Sequence, residues 1–546
     1  MTITKEKGNL TGTDLPARAG RREWVGLAVL ALACVLYAMD LTVLHLAVPS
    51  ISEDLEPTSA QLLWIVDIYG FLVAGSLITM GTLGDRIGRR RLLLTGATAF
   101  GLASLLAAFS TSATMLIVSR ALMGIAGATL APSTLSLIFN MFRDPRQRSA
   151  AIGMWITSFS VGGAIGPLLG GLMLEYFWWG SVFLLALPVM ALLLLLGPRL
   201  LPEFRDPDAG RLDLPSAAMS LTAILAVIFG LKETVQNGFG LLPAAIILMG
   251  LATGLLFLRR QASLADPLID LRLFRTPTFS VSLLTNVLSV FISVGYFLFV
   301  AQYLQLVIGL SPLHAGLWSL PSSVGFIVGS NLAPSFVHRV RPAFVLSAAL
   351  TLAALALGML TQVSGANGLT IVVAASVAIS LALSPVFTLT TELIVGSAPP
   401  EKAGAASGIS ETGAELGGAL GIAILGSIGT ALYRSVVASA IPAGIPGESA
   451  KAALDTLGGA VVVAKHLPNP LGLALLDVAR QAFVQGLHLA AAISASVAIV
   501  TALIALVVLR CVPATSQEEG TTSRPQGEAA QVAIPKLCEK EAGNAA

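Results

Sequence analysis

The run VGLAVLALACVLYAMDLTVLHLAV, residues 25–48, is long enough to cross a bilayer as one helix, yet it holds Asp40 and His45. A hydrocarbon core asks for about 20 consecutive apolar residues in a spanning helix. A carboxylate in such a helix costs about 2.5–3.5 kcal/mol on the lower scales, so Asp40 needs a partner, a polar interior or a task. The segment before the run is polar through Glu23 and carries Lys5, Lys7, Arg18, Arg21 and Arg22. The run is too long for a signal-peptide core and has no convincing cleavage site, so it reads as a retained first span.

Composition extends that reading to the rest of the 546 residues, of which 55% are hydrophobic and only 11% charged. Mean hydropathy is +0.84. Soluble domains carry about 25% charged residues, so most of this chain must face lipid or other helices. Apolar runs of spanning length recur at 25–48, 62–83, 92–109, 115–141, 150–174, 181–200, 214–231 and 241–258. They continue at 278–304, 313–336, 342–360, 369–393, 404–433 and 482–509. The chain therefore reads as an all-α polytopic membrane protein of fourteen spans. The N-terminal segment and one set of short loops hold 22 of the Lys and Arg, and the short loops of the opposite set hold only Lys232. The positive-inside rule places the first set, and both termini, in the cytoplasm.

A 6 + 2 + 6 plan follows. Residues 1–24 form a cytoplasmic segment, 25–200 a six-helix bundle, and 201–260 a linker with two inserted spans. Residues 261–509 form a second six-helix bundle that includes an external loop at 434–481, and 510–546 a cytoplasmic tail too polar to fold alone. Short helices are expected inside the external loop.

Several strings carry more than topology. GTLGDRIGRRRLL, Gly81 to Leu93, combines turn glycines with Asp85, which can face a helix N-terminus, and with a basic cluster that holds a loop at the membrane surface. RALMGIAGA places Arg120 inside the fourth run beside Gly124 and Gly127. In GGAIGPLLGG, Gly162, Gly166 and Gly170 form one small helix face suited to close packing, with Pro167 and Gly171 beside them. The first string, with Gly81, Gly84, Asp85, Arg86, Gly88 and Arg89, resembles the signature of the major facilitator superfamily. The third resembles the motif of that superfamily's antiporter branch, which exports. WIVDIYGFLVAG, DPLIDLRLF, SPLHAGLWSLP and EKAGAASGISETGAELGGALG extend the resemblance to the fourteen-span drug:proton antiporters, and within them to quaternary-ammonium and methyl-viologen efflux pumps. The first span from Asp40 to Pro49 is similar to that group's motif, with His45 where many relatives of the wider branch have Asn.

The resemblance implies a major facilitator fold and a proton-coupled exporter of organic cations, including quaternary ammonium compounds, cationic dyes and biguanide-like antiseptics. It implies a bacterial cytoplasmic membrane, a monomer, and small-molecule cations, protons and lipid as partners. Acidic positions in these pumps match Asp40, Asp67, Glu411 and Glu415, and the buried arginine implicated in proton coupling matches Arg120. Glu411 and Glu415 are four residues apart and share a helix face. Burial penalises the charged form of a carboxylate, so such an acid can hold either a proton or a cationic drug. The ordinary reading is that some of these acids pair with Arg120 or cap helix ends. Glu392, near the end of its span, fits that structural reading better. Trp64, Tyr69, Trp155 and Phe326 are candidate cation–π surfaces. Phe326 stands where some relatives carry a further acid, which favours monovalent over divalent substrates.

Other classes find little support. The net charge of +2 gives no nucleic-acid surface, and the five histidines are scattered with no metal-site spacing. The three cysteines suggest no disulfide framework, and no cofactor is expected. No phosphate-binding loop points to an attached ATPase, and no G-x-S-x-G string points to a hydrolase. A proton-driven exporter of one metabolite or antibiotic would share every feature above. A membrane-embedded enzyme would leave the antiporter string unexplained.

Overall fold

The computed structural model describes residues 18–206, 212–237, 240–264, 267–337, 340–364, 367–442 and 445–512. Most of the expected N-terminal segment and nearly all of the expected tail lie outside these residues. Among those described, the secondary structure is helical throughout.

Helix α1, Arg21–Leu55, runs past the expected end of the first span and through Pro49. Helix α2, Ser59–Ile87, starts at a reciprocal cap between Thr58 and Gln61. Gly88 joins it directly to α3, Arg89–Ala108, at φ +110°, a conformation closed to most side chains. The fourth span is two helices, α4 over Ala113–Gly127 and α5 over Leu130–Met141. Pro132 has no N–H to offer the carbonyl of Ala128, and at the break the Thr129 hydroxyl donates to the Ala126 carbonyl at 2.7 Å. Helix α6, Pro145–Tyr176, begins under an Asp144 cap and continues through Pro167. The sixth span divides in the same way as the fourth. Helix α7 is Ser181–Leu184, α8 is Ala186–Leu200, and Pro188 removes the donor that Leu184 would need.

Two inserted helices follow, α9 at Leu214–Asn237 and α10 at Leu241–Ser263. Where their hairpin opens, Arg260 donates two hydrogen bonds to Asp213, at 2.9 and 3.1 Å. Those bonds hold the Asp213 carboxyl below its ordinary range. Helix α11, Pro277–Gln302, runs into a π turn at Tyr303–Val307. Helices α12, Pro312–Val337, α13, Pro342–Leu360, and α14, Gly368–Gly396, come next. The chain closes with α15, Ala403–Ala440, the short α16, Gly447–Asp455, and α17, Leu457–His466, and finally α18, Asn469–Val508.

Among the described residues, thirteen spans are long and apolar enough to cross a membrane. The helix that would make fourteen is α12, whose 26 residues suffice in length but include Ser319, Ser322, Ser323, Ser330 and Asn331. The loop at 434–481 is shorter than expected, because α15 and α18 both extend into it. What remains between them is largely α16 and α17, and these pack against the body. The Tyr433 hydroxyl donates to the Ala453 carbonyl at 2.9 Å, while Leu457 and Ala460 are buried in apolar surroundings.

Two large apolar clusters organise the core. One gathers side chains from Leu27 to Leu201 together with Val395 and Ala403, and the other from Phe291 to Leu509. Helix α9 packs against α10, α2 and α15. Two small clusters, one around Phe71, Ala74 and Ile228 and one around Ile78, Phe257 and Phe279, fill the seam there.

Candidate functional site

Arg120 and Asp40 meet although 80 positions separate them. The guanidinium Nη1 donates to Asp40 Oδ2 at 2.6 Å and Nε to the Ile65 carbonyl at 3.3 Å. Its carbon lies 4.7 Å above the Tyr69 ring and 5.9 Å from that of Phe183. Both charged side chains are sealed from solvent, with exposures of 1% and 8%. Each charge thus has the partner that burial requires. The Tyr69 face expected to meet a substrate is taken by Arg120.

Asp67 lies on α2 like Tyr69 but turns outward, toward α9, where it pairs with Lys232. Asp40 and Asp67 are therefore not one site. Lys232, which the sequence places in a loop, belongs to α9, because that helix continues to Asn237. The apolar run ends at Lys232, but the helix does not, since an acid waits opposite.

Glu411 and Glu415 differ from both. They are half-buried on α15, and among the described residues neither forms a hydrogen bond or an ion pair. Glu411 is in the electrostatic range of Cys34 and Tyr37 on α1, and Glu415 in that of Tyr37, Tyr69 and Lys232. The shared face therefore looks across the seam at the first cluster. A string of rings stands there. Trp155 and Phe159 lie 4.7 Å apart, Phe159 and Tyr37 5.9 Å, and Tyr37 and Tyr69 6.4 Å. Trp155 is fully buried, and its indole N–H is committed to Thr134 at 2.9 Å. Tyr37 and Phe159 were not singled out from sequence, though Tyr37 is one turn from Asp40 and Phe159 one turn from Trp155. Phe326 leans on Phe387 at 6.0 Å. Trp64 is 40% exposed and stacks on Phe229 of α9, away from the acids.

At the end of the molecule that carries the α2–α3 turn, the two clusters are fastened together. Asp85 accepts hydrogen bonds from the backbone N–H groups of Gly404, at 3.1 Å, and Ala405, at 2.8 Å. It therefore caps the first turn of α15 from across the seam, where a carboxylate meets the positive end of the helix dipole. Arg89 donates to Asp85 at 2.9 Å and to the carbonyls of Pro400 and Glu401 at 2.7 and 3.0 Å, and is 1% exposed. Gly81 lies against the Gly404 backbone with no room for a Cβ. Gly84 accepts the N–H of Gly88 at 3.0 Å, and Arg86 lies in the last turn of α2. A second tie joins α6 to α14. Glu392 accepts from Ser149 at 2.5 Å and pairs with Arg148 at 3.6 Å. Nearby, Thr157 of α6 bonds Ser330 of α12 at 2.8 Å.

The export-type string packs within the first cluster rather than across the seam. Gly162, Gly166 and Gly170 are buried, and Gly162 has α1's Val35 carbonyl against it. Gly163 has open space around its α-carbon, and Gly171 is exposed. Nothing is described of the side chains of His45 or Pro167. No group of three His, Cys, Asp or Glu suited to a metal occurs among the described residues.

Comparison with known proteins places these features in context. Residues 30–422 match the model of the Major Facilitator Superfamily. The chain is 43% identical over 503 residues to the multidrug efflux pump LfrA of Mycolicibacterium smegmatis, covering 92% of this chain and 99% of that protein. It is 39% identical to the methyl viologen resistance protein SmvA of Salmonella typhimurium, covering 85% and 93%. The crystal structure of the human organic anion transporter MFSD10 superposes with a TM-score of 0.59 at 15% identity, over 88% of this chain and 99% of that one, and so shares the fold.

Proposed function

The chain belongs to the Major Facilitator Superfamily, and from that premise we propose that it exports organic cations in exchange for protons by alternating access. As a member of a transporter family it is a multi-span membrane protein and not an enzyme. The observation that carries the proposal is the pair Glu411 and Glu415, half-open to solvent, without ionic partners, and facing Tyr37 across the seam. An unpaired carboxylate inside a membrane helix is expensive, and it can be neutralised by a proton or by a cation. Those two occupants exclude each other, and exclusion is the core of exchange. Aromatic faces opposite an acid suit a flat or quaternary cation. The roles of the two relatives, multidrug efflux and methyl viologen resistance, fit such cargo.

The fastened end holds most of the clustered arginines, Arg86, Arg89, Arg90 and Arg91, and the positive-inside rule makes it cytoplasmic. With that end shut, the proposed exchange would take protons from the outer side and release cargo to it. One charge crossing about 100 mV releases about 2.3 kcal/mol. A pH unit adds about 1.4 kcal/mol per proton. One or two protons suffice for a useful gradient of a monovalent drug.

Ethidium binding to the purified protein tests this reading. Binding should weaken on acidification, as protons fill the carboxylates. Glu411→Gln with Glu415→Gln should lose about tenfold in affinity, or about 1.4 kcal/mol, and most of the pH dependence. If that double variant binds and transports ethidium like the parent, the assignment is wrong.

A further inference from the structure

Lys232 has no evident place in a simple linker. A lone lysine near the end of a spanning helix ordinarily stretches along the helix to reach water. This one turns into the body. Its ammonium pairs with Asp67 of α2, lies 4.7 Å over the Phe71 ring, and acts electrostatically on Glu415 of α15. Its helix, α9, packs against both α2 and α15, the two helices that meet across the seam at their Gly81 and Gly404 crossing. Lys232 is 37% exposed and Asp67 20%, so the pair borders on solvent and is not sealed as Asp40 and Arg120 are.

An ammonium paired with one acid, lying over an aromatic face and within the field of a second acid on a neighbouring helix has surroundings like those of a bound organic cation. We propose that Lys232 is a tethered cation that occupies the edge of the acid site when cargo is absent, and that its charge sets which cargo enters. The inference rests on the exporter reading above and adds a specificity-determining residue from the inserted hairpin. Coulomb repulsion scales with the product of the charges, so a fixed ammonium opposes a divalent cation twice as strongly as a monovalent one in the same position. Lys232 therefore favours monovalent cargo. It also gives α9 a direct part in loading the site, because arriving cargo must displace or share the field of that ammonium.

The test uses the full chain in detergent, with tetraphenylphosphonium as the monovalent probe and methyl viologen as the divalent one, both by calorimetry. Lys232→Gln should tighten tetraphenylphosphonium roughly tenfold and methyl viologen roughly a hundredfold, the second factor near the square of the first. Lys232→Arg should bind as the parent does. A purely structural lysine would change both probes alike or weaken both, and either result overturns the proposal. Lys232→Cys, in a background free of other cysteines, separates charge from folding. Once coupled to an aminoethyl thiosulfonate it should bind methyl viologen more weakly than when coupled to a neutral methyl one, and equal affinities overturn the proposal. If the parent protein binds neither probe, the exporter reading fails first and this inference falls with it.

Discussion

Asp40 and Arg120 are the pair on which single substitutions will be hardest to interpret. Each is buried, each is charged, and each holds the other at 2.6 Å. Removing one partner of such a pair typically costs about 3–5 kcal/mol, because the survivor is left charged in a dry place. Asp40→Asn should therefore abolish transport and also lower the thermal midpoint of the purified protein. Asp40→Asn combined with Arg120→Gln should recover most of the midpoint while staying inactive, if the pair serves proton coupling. Recovery of transport in the double variant would show that the pair is only structural. The sequence made both residues legible as anomalies, since charge is rare in apolar runs. It offered Arg120 as a partner for some of the acids but could not say which, because the contact depends on how α1 and α4 are each placed against α2. Lys232 was hidden for a related reason. Hydropathy ends a span at the first charge, while the helix continues wherever that charge has a partner.

Across the seam, α2 and α15 pack closely along their lengths, and that packing rests on glycines. A side chain on Gly404 would meet the Asp85 carboxylate and the Gly81 carbonyl. Gly404→Val should therefore keep the fastened end from closing. Ser407, fully buried one turn along, reports on this. In a background with no other cysteine, Ser407→Cys should resist a maleimide in the parent and react at least tenfold faster beside Gly404→Val. Equal rates would mean that the crossing does not control access. The string GTLGDRIGRRRLL announced a turn and an Asp suited to a helix N-terminus, and the structure supplies that N-terminus in α15. Which helix it would be was not legible, since the partner lies more than 300 positions away. The divided fourth and sixth spans could have been read from Pro132 and Pro188, had each carbonyl been checked for its donor.

Two apolar clusters joined by polar ties at one end, with half-buried acids deeper in the seam, are the parts that the proposed alternating access would move. The positions of the spans followed from length and hydropathy, properties that any bilayer imposes locally. The packing of α9 against α2 and α15 did not, because it depends on surfaces that exist only after both clusters have formed. Spin labels at Arg91→Cys and Glu401→Cys, both on exposed positions of the fastened end, should give two distance populations, with the longer one growing on acidification. A single distribution unchanged between about pH 5 and 8 would argue against proton-driven rocking. The Asp85 cap adds a way to time that motion. Its donors are main-chain amides, whose hydrogens swap with solvent deuterium only when the carboxylate lets go. Isotope uptake at Gly404 and Ala405 is thus an internal clock for each parting of the two halves, and it needs neither a dye nor a label.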